Sequence, residues 1–168
     1  MKNTNQNLKQ LAVATSLLLF SIPAFCQQTN FTGNWQLNKS KTDFKQTPEW
    51  ALPRALKVMQ SKKALMVDRT MLTNTLAEKH YSENILFDGA SSVTTTAMGN
   101  KETDSLTRSS DKTHLMLKIL IVNPSGQPLT NSIEEWSLVD GGKTLLVDRQ
   151  VEQGDGSKYE LKAYFDKQ

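Results

Sequence analysis

The chain has 168 residues, 20 basic and 17 acidic side chains, a net charge of +3 and one cysteine. That near balance excludes the strongly basic surface of a nucleic-acid binder. A single cysteine excludes a disulfide framework within the chain.

The N-terminus reads as an export signal. Lys2 and Lys9 flank a polar start, Leu11 to Phe25 is mostly apolar, and Pro23-Ala24-Phe25-Cys26 closes the segment. That is the basic, hydrophobic and cleavage-region order of a secretory signal peptide. The apolar run is shorter than the ~20 residues a spanning helix needs. Cleavage is expected after Cys26, leaving a mature domain over residues 27–168, exported to the periplasm or the medium. Removing residues 1–26 takes two lysines and no acid, so 18 basic and 17 acidic side chains remain, a net charge of +1. Pro23 and Phe25 stand where a lipoprotein signal carries leucine and a small residue. Lipid attachment at Cys26 is therefore the minor alternative, and an uncleaved anchor is another.

From residue 31 the pattern is one of short strands. Phe31, Gly33, Trp35 and Leu37 share one face, and Thr32, Asn34, Gln36 and Asn38 share the other. This strict period of two marks a half-buried strand. Residues 39–53 break the pattern. Thr47-Pro48-Glu49 resembles a helix start and Pro53 a stop, which predicts a loop with one helical turn. Leu56–Gln60 and Ala64–Met71 form a hairpin across Ser61-Lys62-Lys63. Further strands are expected over 79–87, 91–98, 102–109, 114–123, 130–139, 144–152 and 158–166. Turn signals separate them at Asp88-Gly89, Asn123-Pro124-Ser125-Gly126, Asp140-Gly141-Gly142 and Gly154-Asp155-Gly156. Nine or ten strands at this spacing, with almost no helical periodicity, predict an all-β up-and-down meander barrel. The near-repeat of residues 63–69 at 143–149 fits two equivalent strands of one barrel.

Several segments together resemble a bacterial secreted lipocalin-like, calycin-type β-barrel domain family. They are Phe31-Thr32-Gly33-Asn34-Trp35-Gln36-Leu37-Asn38, Leu65-Met66-Val67-Asp68-Arg69-Thr70, Phe87-Asp88-Gly89, Glu135-Trp136-Ser137-Leu138 and the terminal Tyr164-Phe165-Asp166-Lys167-Gln168. The resemblance implies a lipocalin-like barrel and no catalytic residues. The turn at Gly141-Gly142 carries one glycine more than that pattern, and the 39–53 connection is too short for the two-helix lid of fatty-acid-binding proteins.

The sequence carries no catalytic constellation. No Gly-x-Ser-x-Gly occurs, and His80 and His114 sit on separate strands among polar neighbours. No His, Cys or carboxylate set has metal-ligand spacing. Glu134-Glu135 reads as a solvated pair. The expectation is a non-enzymatic protein with no cofactor and no metal. A binding role fares better, with Trp35, Arg69, Trp136 and Arg149 as candidate ligand contacts. Arg69 shares parity with Leu65 and Val67, and Arg149 with Leu145 and Val147. Either both arginines enter the barrel and suit an anionic head group, or both lie past the rim and reach water along their stems. Lys162-Ala163-Tyr164 resembles the Arg-x-Tyr carboxylate clamp of fatty-acid-binding proteins, but parity places Lys162 and Tyr164 outside.

The strand at 114–122 is apolar on both faces. Its outer residues Met116, Leu120 and Val122 are either covered by the 39–53 segment or offered to a protein partner. The leading reading is a barrel that binds a small hydrophobic or amphipathic molecule. The alternative is a packed barrel without a cavity, acting as an envelope interaction module.

Overall fold

The computed structural model describes residues 28–45, 47–73, 75–96 and 98–168. The expected signal peptide and cleavage site lie outside the described residues. Ten antiparallel strands follow one another: β1 Gly33–Leu37, β2 Ala55–Gln60, β3 Ala64–Leu72, β4 Glu78–Leu86, β5 Ser92–Thr95, β6 Lys101–Arg108, β7 Leu115–Val122, β8 Pro128–Val139, β9 Thr144–Gln153 and β10 Lys158–Lys167. Each strand pairs with its sequence neighbour, except β4 with β5, and β1 also pairs with β10. The expected all-β meander barrel is the fold observed. Closure is incomplete at one seam. No ladder joins β4 to β5; Ser92 Oγ donates to the Asn84 carbonyl across it at 3.1 Å.

β1 shows why the chain opens on glycine and tryptophan. Trp35 turns inward and is fully buried, and its indole Nε1 donates to the Phe31 carbonyl at 3.0 Å. A Cβ at Gly33 would come within 3.3 Å of that indole and 3.1 Å of Lys167 Cε. The missing side chain lets β1 run close over the ring, with the Lys167 ammonium 5.2 Å from the ring centre. The extra glycine at Gly141-Gly142 is also explained. Gly141 and Gly142 have positive φ (66° and 85°), which glycine adopts without strain, and they follow Asp140 at φ 52°. Thr144 Oγ1 donates to Asp140 Oδ2 at 2.9 Å and ties the turn to β9.

The 39–53 connection contains one turn of 3-10 helix, Glu49–Ala51, after Pro48. It is anchored by a bridge between Asp43 and Lys162, by the Tyr164 amide donating to Thr42 Oγ1, and by Leu52, which enters the core. Its turn packs against β3 and reaches over one end of the barrel. The expectation that it covers the outer face of β7 is corrected. Anchored at both ends near β1, β2 and β10, it has the reach to cross the barrel end. Leu120 is exposed, and Met116 and Val122 are half-buried.

The barrel has two unlike halves. Inward side chains at one end fill the interior, with Trp35, Leu56, Val58, Leu65, Val67, Ile85, Leu106, Leu117, Trp136, Leu145, Val147, Ala163 and Phe165 in one buried cluster. The other end is open, and a cavity of about 710 Å3 lies there.

Candidate functional site

Strand alternation sends every second residue inward, so each strand contributes one side chain per level of the barrel. At the level where the packed half stops, those side chains are ionisable. Arg69 follows Leu65 and Val67 on β3, and Glu83 precedes Ile85 on β4. Glu102 and Asp104 precede Leu106 on β6. Glu134 precedes Trp136 on β8, and Arg149 follows Leu145 and Val147 on β9. All except Arg149 are buried as whole residues, and the Arg149 side chain is only 14% exposed.

Glu134 is the centre of one half of this layer. Arg149 faces it in the β8–β9 register and brings Nε to 3.5 Å from Oε1. Arg69 Nη2 lies 3.9 Å from Oε2, and the Trp136 indole donates to that oxygen at 2.9 Å. Arg69 also donates through Nε to Glu83 Oε1 at 2.8 Å, with its guanidinium carbon 5.8 Å from the Trp136 ring centre. Arg149 Nη1 donates to the Ala51 carbonyl at 3.4 Å, which ties the charged layer to the connection crossing the barrel end.

The layer holds four carboxylates against two guanidiniums. Buried charge is costly unless compensated, and the surplus appears in the protonation equilibria. Burial, then the charge of Glu83 and Asp104, raises Glu102 to about 8. Burial and Glu83 likewise raise Asp104 to about 7. Burial works against the charge on Arg69, but Glu83 and Glu134 outweigh it and hold the guanidinium charged. Burial pushes the Tyr81 hydroxyl upward.

A pH effect of defined sign follows. In the unfolded chain both acids titrate near 4. Between there and about 8 the folded state binds more protons, so stability is greatest below pH 4.5 for these two groups and falls as pH rises. In chelator-treated buffer, urea denaturation is expected to show lower stability at pH 8.5 than at pH 5.5. Glu102→Gln should flatten that slope; an unchanged slope would assign it to other groups.

Above the layer the cavity is walled by Met71, Ile119, Ile121, Leu129 and Tyr159, with Trp50, Ala51 and Pro53 from the connection. Arg69, Tyr81, Glu102, Glu134 and Arg149 form its floor. Exposed Lys45, Lys79, Lys158 and Glu160 stand at its edge.

Two of the four candidate contacts therefore reach the cavity. Arg69 points inward and is buried, and Arg149 points inward and is half-buried; of the two alternatives for them, the water-reaching rim position is not the one adopted. Trp35 and Trp136 belong to the packed half and are absent from the cavity lining. Trp136 acts through its hydrogen bond to Glu134, beneath the floor. Lys162 lies outside, paired with Asp148 at 2.9 Å.

Two expectations are corrected. Glu135 is solvated but Glu134 is buried, because it shares the inward parity of Trp136. A carboxylate cluster also exists where linear spacing shows none: Glu83 from β4 meets Glu102 and Asp104 from β6. The signal for these residues was parity. Glu83, Asp104 and Glu134 each stand two positions from an inward apolar residue on their own strand, and Glu102 stands four from Leu106.

The sequence matches no protein-family model and no curated protein. The backbone is similar to that of zebrafish ileal bile acid-binding protein complexed with cholic acid. The TM-score is 0.50 and the identity 14%, over 82% of this chain and 98% of that one. At that identity the likeness is one of fold. It agrees with a calycin-type barrel.

Proposed function

We propose that this chain is an exported, non-enzymatic barrel that carries a small amphipathic molecule in its open half. The observation that carries the reading is the cavity of about 710 Å3, with apolar walls and a polar floor. That volume lies within the usual range for a small-molecule site. The bile acid-binding protein of similar fold adds support for a hydrophobic cargo. The cavity also weighs against the alternative of a fully packed interaction module.

The head group best suited to the lining is an anion. Five basic side chains (Lys45, Arg69, Lys79, Arg149 and Lys158) line the cavity against three acids (Glu102, Glu134 and Glu160). Arg149 is the group to meet it, since its side chain is 14% exposed against 5% for Arg69. Export rests on the N-terminal segment and is tested by N-terminal sequencing of the protein recovered from culture fractions. A terminus at Gln27 in the periplasm or medium is expected, and retention of residues 1–26 would overturn it.

Native mass spectrometry of the purified protein and displacement of a bound fluorescent fatty acid by dodecanoate test the binding reading. One ligand per chain is expected. Ile121→Trp should narrow the cavity and weaken probe and dodecanoate binding while the barrel stays folded. Arg149→Gln should weaken dodecanoate about tenfold, the worth of one charge-assisted hydrogen bond, and leave dodecanol unaffected. No co-purified ligand and no probe uptake would sink the reading.

A further inference from the structure

We propose that Glu83, Glu102 and Asp104 hold one hard divalent cation, of the calcium, magnesium or manganese class, beneath the cavity floor. One carboxylate oxygen from each residue lies within 4.8 Å of the other two, and all three side chains are buried. Buried carboxylates at that separation cannot all carry their charge unless a cation lies between them.

A separate observation points to a ligand. Asp104 is fully buried, and neither of its oxygens has a hydrogen-bond donor. Glu83 Oε2 is in the same condition, although Glu83 Oε1 accepts from Arg69. These are buried acceptor atoms without donors, the complement of a cation and not of another acceptor. Ser132 Oγ is also buried without a partner. It lies on the inward face of β8, in the row that runs from Asp104 through Ile119 to Ser132.

Charge sets the valence. Arg69 and Arg149 offset two of the four buried carboxylates, and the remaining two negative charges equal one dication. The donors are all oxygen, with no imidazole or thiolate among the three, which suits hard ions. Glu102 lines the cavity and offers the path of entry. Arg69 is a positioning residue, because its bond to Oε1 turns the other oxygen of Glu83 free.

The test uses the purified chain, stripped with chelator and then dialysed free of it. It is titrated at pH 8 with CaCl2, MgCl2 and MnCl2 by calorimetry, and with Mn2+ by electron paramagnetic resonance. One ion per chain is expected for at least one metal, together with a rise in melting temperature. Glu102→Gln and Asp104→Asn should each weaken binding by at least about tenfold. Glu135→Gln, on the exposed face, should leave it unchanged. Both test substitutions keep side-chain shape, and if Asp104→Asn does not fold, Glu102→Gln carries the comparison. No binding of any of the three metals would overturn the proposal, as would affinity indifferent to both substitutions. Dodecylamine binding that depends on Glu102, with no metal binding, would assign the surplus charge to an ammonium group and overturn it too.

Discussion

Replacing Arg69 by methionine is expected to lower the unfolding free energy by about 3–5 kcal/mol, the usual cost of removing one partner from a buried ion pair. Arg69 lies between Glu83 at 2.8 Å and Glu134 at 3.9 Å, with only 5% of its side chain exposed. The methionine would fill much of the same space, so the loss is electrostatic and not a cavity effect. Without the guanidinium, Arg149 alone would face four buried carboxylates. The chain would then have to take up protons on folding or admit water to the layer. Urea denaturation followed by tryptophan fluorescence measures the effect. Adding Glu83→Gln to Arg69→Met should recover part of the loss, because the two residues share one interaction. A single-variant loss below about 1 kcal/mol is the value for a solvated pair, and would show that the layer is hydrated.

Trp35→Ala is expected to cost a similar amount, about 3–5 kcal/mol, for a different reason. The indole is 1% exposed and stands in the packed half, so its removal leaves a void that the surrounding strands cannot close. Trp35→Phe should cost less. It keeps most of the buried area but leaves the Phe31 carbonyl without its donor. The two substitutions should be ordered in that way by denaturation. Affinity for dodecanoate in the folded Trp35→Phe protein should match the wild type, since Trp35 does not line the cavity. A large loss of affinity there would move the binding site into the packed half.

These two residues show how far the sequence could be read. Alternation along β1 placed Trp35 inward, and parity with Leu65 and Val67 left Arg69 either within the barrel or past its rim. The same rule, applied to Leu106 and Trp136, would have placed Asp104, Glu102 and Glu134 inward as well. Glu134 was instead read with Glu135, its neighbour in sequence, although adjacent residues on a strand face opposite ways. The 39–53 segment was harder. Its single turn was legible from Pro48 and Pro53, but its path across the barrel end depends on bonds to β10, more than a hundred residues away.

The sequence by itself determined a meander of nine or ten strands and the parity of the side chains along each, because period two and turn chemistry are local properties of the chain. The tertiary structure alone decided which inward residues share a level. Glu83, Glu102 and Asp104 lie on strands that do not pair with each other, and Arg69 meets Glu134 from a strand far along the sheet. Ring closure and strand stagger bring them together, and neither is written in any short stretch of sequence. For the same reason, the division of the barrel into a packed half and an open half appears only once side-chain volumes from all ten strands are summed at each level.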